Sequence, residues 1–284
     1  MTKAIKVLSA LVAVFMFLSA CIGLFYTNGG EHFFVTNIYG QQIELFGDGI
    51  YSYNSLLKVG ATKGTDIVML VVSLILLVTV LCLSSRRYAK LLAAGLQSCI
   101  LYNSIYLITG VSFNRLFPLY LVLFSTSLFA FILTVSSLKI EACFDEILYT
   151  KKLKGTAIFL IVGGCSVLVW LTNLVPAVLT GAPTGFIEIY TTEPTFAIDL
   201  GIILPTCLIA GVGLLKRHHF SYVLASILLT LFACVGLCVI FQTVVQTRLG
   251  IVLSIGQMTG MVVSFVILGI IALFLNYQLL KYAK

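Results

Sequence analysis

Charge is what this sequence has least of. Only 10% of its 284 residues are Asp, Glu, Lys or Arg, while 60% are hydrophobic; a soluble domain carries roughly 25% charged residues. With a mean hydropathy of +1.13, the chain holds more apolar surface than a water-exposed fold can hide, so its solvent is lipid. Histidine is nearly absent as well. His32, His218 and His219 are the three, and none sits inside an apolar run, which excludes a membrane haem held by helical histidines. There is no Asn-x-Ser/Thr sequon, Walker A loop, Gly-x-Gly-x-x-Gly behind a strand, HExxH, Gly-x-Ser-x-Gly elbow or Cys-x-x-Cys. These absences remove nucleotide-binding, zinc-protease and serine-hydrolase chemistry from consideration, and no cofactor is expected. The eight cysteines fall in apolar spans or in a basic-side loop, against a disulfide framework. Cys234 and Cys238 are one helical turn apart with no His or carboxylate beside them, so no metal site is expected.

What is present is a series of apolar spans. They are expected at about Lys3–Tyr26, Asp66–Leu83, Leu91–Val111, Pro118–Leu138, Thr156–Val175, Phe196–Leu215, Phe220–Gln246 and Ile251–Leu275. The fold expected is all-α: a polytopic transmembrane bundle of about eight helices forming a single membrane domain over 1–284. Leu18–Cys21 resembles a bacterial lipobox. The preferred reading is an uncleaved first helix, because Ile22–Phe25 continues apolar; processing at Cys21 stays open. The net charge of +7 would suit nucleic acid, but its distribution points elsewhere, and no nucleic-acid partner is expected. With the N-terminus inside, 13 of the 17 basic residues lie on the inner side and seven of the ten acids outside. That bias sets both termini in the cytoplasm.

Two outer segments interrupt the apolar pattern, 27–65 and 177–195. The first has turn signals at Asn28-Gly29-Gly30 and Gly47-Asp48-Gly49. Between them FFVTNIYGQQIELF alternates loosely, which predicts a small hairpin on the membrane surface. A charged inner loop, 139–155, divides the chain into halves at 1–138 and 156–284 and carries a stretch with the spacing of a short interfacial helix. Asp66 to Arg115 and Asp199 to Arg248 are equally spaced, so a four-plus-four parallel pseudo-repeat is one reading and chance the other.

Ionisable groups at membrane depth are functional candidates by default. Asp66 and Asp199 are each expected near the outer start of a helix. For Asp66, helix capping and ligand binding weigh alike. Asp199 lies about three residues inside its span, and Pro205 frees a backbone carbonyl close by. Arg115 and Arg248, the outer arginines, either snorkel to headgroups or pair with Asp66, Asp199, Glu188, Glu193 or an anionic ligand. Gln97, Tyr102, Asn103, Asn173, Gln242, Gln246 and Gln257 are the polar residues within the spans, and most are read as bonds between helices; Tyr102, Asn103, Asn173, Gln246 and Gln257 fall in the outer halves and are candidate lining for an outward cavity.

YGQQIELFGDGIYSYNSLLKVGATKGTDIV (Tyr39–Val68), together with Asn114–Phe131 and Tyr190–Pro205, resembles an uncharacterised family of bacterial multi-pass integral membrane proteins. The resemblance implies a bacterial plasma-membrane location and carries no activity. The expected function is permease-like transport or binding of a small-molecule or lipid-like ligand at an outward-facing polar site. A scaffold or accessory subunit docking a membrane-protein partner is the alternative, and an enzyme acting on lipid a third. The partners expected are the lipid bilayer, such a ligand and, for the scaffold, that protein.

Overall fold

The computed structural model describes residues 1–86, 88–139, 143–150, 153–252 and 254–283; the side chains of Thr150, Gln257 and Met261 also lie outside the description. Of the residues used above, Arg87, Glu141, Lys151, Lys152, Lys284 and the side chain of Gln257 therefore lie outside the described residues. The protein is an all-α, multi-pass bundle. Among the described residues, eight helices are long and apolar enough to cross a membrane: α1 (Lys3–Phe25), α2 (Leu56–Leu81), α3 (Ala89–Gly110), α4 (Phe117–Ser136), α5 (Lys154–Thr180), α6 (Pro194–Leu215), α7 (His219–Arg248) and α8 (Met258–Leu280). The predicted hairpin is present as β1 (Phe33–Thr36) and β2 (Gln42–Leu45), paired antiparallel with Phe33 opposite Leu45. Pro118 stands in the first turn of α4, where its missing N–H costs little. The inner loop forms a short helix, Glu146–Thr150.

One boundary differs by ten residues. α2 starts at Leu56 rather than at Asp66, because Ser55 caps it by accepting from the Lys58 N–H. Gly60 and Gly64, which read as loop glycines, lie instead on the face of α2 that meets α7. A Cβ on Gly60 would approach Gln246 Cα to 2.9 Å, and one on Gly64 would lie 2.3 Å from Gln242 N. They are a small-xxx-small contact, the device that brings helices together where lipid supplies no hydrophobic drive between them. Asp66 is consequently three turns inside α2 and fully buried. It is not a first-turn capping residue. α5 also runs further than expected, through Pro176 to Thr180.

α1 to α4 close into a ring, α1 packing on α2 and α4, and α3 on α2 and α4. α7 is the common partner of α2, α3, α6 and α8, and α5 lies on α6. Gly236 of α7 and Gly269 of α8 meet backbone to backbone, a Cβ on either lying 2.9 Å from the other's Cα. Polar bonds complete the seams. Gln97 Nε2 donates to Ser9 Oγ at 2.7 Å, Asn276 Nδ2 to Thr230 Oγ1 at 2.8 Å, and Ser226 Oγ to Asn276 Oδ1 at 3.0 Å.

The loop between α1 and the hairpin is clamped by one carboxylate. Thr27 Oγ1 donates to both oxygens of Asp48, and the Asn28 and Gly29 N–H groups donate to its Oδ1 at 2.8 and 2.9 Å. The Thr27 hydroxyl, then these amides, hold the Asp48 carboxyl down at about 2. An acid with a depressed folded-state pKa stabilises above its ordinary value and loses that contribution as pH falls through the folded one. Hydrogen-exchange protection factors of the Asn28 and Gly29 amides are expected to hold down to about pH 4 and drop toward about pH 2, and Asp48→Asn is expected to remove that step. Gly64→Ala is expected to destabilise the bundle by about 1–3 kcal/mol in thermal unfolding in detergent. Gly155→Ala, whose added Cβ meets nothing within 4 Å, is the control expected not to destabilise.

Candidate functional site

The two outer segments meet over the ends of α2 and α6. Asn37 Nδ2 donates to the Glu188 carbonyl at 2.7 Å. Tyr190 OH accepts from Ser55 N at 3.2 Å and donates to Asn54 Oδ1 at 3.0 Å. Ser55, already the cap of α2, donates its hydroxyl to Glu188 Oε2. Glu188 holds this position at φ 45°, in the left-handed region that a non-glycine residue adopts at a cost. Burial pushes its carboxyl above the usual range, with the Ser55 hydroxyl and then Lys58 pulling the other way.

Beneath this cover Lys58 of α2 and Glu193, the residue capping α6, form a direct ion pair with side chains only 8% and 5% exposed. The ammonium also lies 5.2 Å from the ring centres of Tyr106 and Tyr190. Three partners therefore replace its water: a carboxylate and two aromatic faces.

Below the pair a cavity of about 360 Å³ opens between α2, α3, α6 and α7. Its upper wall carries the polar side chains Thr65, Tyr102, Asn103, Tyr106, Asp199, Gln242 and Gln246, joined by the rings of Trp170 on α5, Phe186 and Phe196. Its deeper wall is apolar, with Met69, Cys99, Leu231, Cys234 and Val235. Asp199 stands on a π-helical turn, Asp199–Ile203, in which the Leu204 N–H reaches back to the Asp199 carbonyl. Pro205 follows directly and has no N–H to continue the ordinary ladder, so the wide turn has a cause in the sequence. Tyr102 OH donates to Asp199 Oδ1 at 2.9 Å, and Trp170 Nε1 donates to Oδ2 at 2.8 Å. Each oxygen thus receives a neutral donor.

The residues singled out from sequence fall in different places. Tyr102, Asn103, Asp199 and Gln246 line the cavity, and Gln246 Nε2 donates to the Leu57 carbonyl at 3.3 Å. Asp66 lies on α2 toward α1, away from the cavity lining. Its Oδ2 accepts from Tyr51 OH at 2.8 Å, and its Oδ1 has no hydrogen-bond partner among the described residues. Gly23 of α1 makes room for both groups. Arg115 and Arg248 are exposed, and among the described residues neither forms an ion pair with Glu188, Glu193, Asp66 or Asp199. The cation beneath the outer segments is Lys58, not an arginine. Asn173 is half-buried, bonds Thr172 on its own helix at 3.4 Å and does not line the cavity.

Sequence reasoning missed Lys58 as a site residue because the start of α2 was placed beyond it. The available signal was Ser55 followed by the Gly60-xxx-Gly64 spacing, an N-cap and a helix contact rather than two loop features. It also missed Trp170, an apolar-span residue whose indole N–H needs a partner once buried.

Lys58→Met is expected to leave Glu193 as an uncompensated buried carboxylate and to destabilise by about 3–5 kcal/mol. Lys58→Met/Glu193→Gln, which removes both charges, is expected to recover most of that loss in the same thermal-unfolding measurement.

Compared with protein-family models, curated proteins and solved structures, the chain matches none, so the functional argument rests on the site itself.

Proposed function

We propose that this multi-pass protein resides in a bacterial plasma membrane and binds a small amphiphile in the outer half of its bundle, as a permease or as a membrane receptor for that ligand. The observation that carries the reading is the cavity between α2, α3, α6 and α7, polar above and apolar below. Its volume of about 360 Å³ falls within the roughly 300–1,000 Å³ of small-molecule sites. A ligand with a polar head and an apolar tail matches both walls at once: the head replaces water among the tyrosines, glutamines and Asp199, and the tail meets a surface with few polar groups to satisfy. The two outer segments stand over the mouth, and the hydrogen bonds joining them are the contacts that would part for a ligand to enter.

One observation favours a second reading, a docking subunit. The hairpin exposes Phe34 and Ile38, at 65% and 90% of their surface, outside the span region. An accessory role through this tip makes the hairpin, not the cavity, the functional surface.

Trp170 is the sole tryptophan of the chain and lines the cavity, so its fluorescence reports the site. Decyl maltoside titrated below its micelle concentration onto protein held in amphipol is expected to shift that fluorescence saturably. Ala61→Phe, which fills the cavity from α2, is expected to weaken this response at least about tenfold while leaving the melting temperature within a few degrees. An undiminished response in Ala61→Phe would reject the cavity as the binding site. Phe34→Ser/Ile38→Ser is expected to leave the titration unchanged, whereas loss of a co-purifying partner would favour docking.

A further inference from the structure

We infer that the cavity selects a monovalent organic cation carrying an apolar tail. This rests on the reading of the cavity as a ligand site and adds the sign of the ligand's charge.

Lys58 and Glu193 neutralise one another. Among the described residues Asp199 has two neutral donors and no cation partner, and Glu188, just above, is bonded to a serine hydroxyl. Arg115 and Arg248 lie outside the lining. The donor geometry at Asp199 suits the carboxylate form: the indole N–H donates to one oxygen and the phenol to the other, and neither contact requires a proton on the carboxyl. In a site enclosed by protein, where the effective dielectric constant is lower than that of water, such a charge attracts a counter-charge more strongly than it would in water.

The aromatic lining agrees. Trp170, Phe186 and Phe196 form a three-ring cluster, with centres 6.1, 5.4 and 6.3 Å apart and two of the three pairs edge to face. All three rings line the cavity, and Trp170 is the residue holding Asp199. Aromatic faces beside a carboxylate are the chemistry that holds alkylammonium groups. The protein already uses it once, for its own Lys58 between Tyr106, Tyr190 and Glu193. Beneath the charged level the described lining residues are apolar groups and thiols, so the cation accepted has a hydrocarbon extension rather than a second charged end.

The test uses three twelve-carbon probes on the full chain in tryptophan-free amphipol, read by Trp170 fluorescence: dodecyltrimethylammonium, dodecanoate and neutral dodecyl maltoside. The expected result is binding of the cation about tenfold or more tighter than either other probe, with the preference reduced to about twofold or less in Asp199→Asn. The comparison in the unsubstituted protein stands even where that variant folds poorly, and Asp199→Glu, which retains the charge, is expected to retain the preference. Equal affinity for the three probes, or a preference for dodecanoate, would overturn the cation assignment while leaving the amphiphile site intact. A Trp170 signal that responds to none of them would overturn both.

Discussion

A lysine and a glutamate taken into the end of an apolar bundle must be taken in together. The Coulomb attraction between Lys58 and Glu193 offsets their desolvation only while each has the other as partner. The outer half of the protein is arranged around this condition. Lys58 belongs to the first turn of α2, so the chain leaving the hairpin must turn into helix immediately after Ser55, its extended N-cap. Glu193 caps α6, so the second outer segment must end where α2 begins. The tyrosines, Glu188 and Ser55 then close over the pair with bonds linking the two segments.

Deeper in the membrane a different constraint operates. Lipid tails and leucine side chains are equally apolar, so burying one against the other yields little. The helices are joined instead where backbones approach closely, at Gly60 and Gly64 against α7 and at Gly236 against Gly269, and where a polar side chain finds a partner on its neighbour. α7 carries much of both kinds of contact and forms the axis of the bundle. The cavity lies along one side of this axis, between the glycine contact with α2 and the first turns of α6. Its polar and apolar levels follow from the depth at which each wall residue enters the membrane.

Asp199 links these two levels. Pro205 interrupts the helical ladder, a wide turn accommodates the interruption, and the turn carries Asp199 toward Tyr102 and Trp170. A backbone irregularity at membrane depth is tolerated where it borders a cavity, because polar groups there meet side chains or ligand rather than lipid. Asp66, at similar depth on α2, faces the opposite way and is sealed between Gly23 and Tyr51. Two carboxylates that look alike along the chain therefore occupy chemically different surroundings.

The sequence by itself determined the multi-pass helical architecture, because apolar runs are a one-dimensional property. Run length specifies a span whatever its neighbours are. The hairpin, the Pro118 helix start and the pairing of Asp199 with Pro205 as a local irregularity were legible for the same reason: each depends on residues close in the chain. What only the tertiary structure decided was which groups meet. Lys58 and Glu193 are 135 residues apart, and no local pattern records their pairing. The start of α2 was hidden because Gly60 and Gly64 carry opposite meanings in a loop and in a helix contact, and only the presence of α7 chooses between them. The direction in which Asp66 points was decided in the same way. A residue's height in the membrane can be counted along the chain, but its azimuth around the helix acquires meaning only once the neighbouring helices are in place.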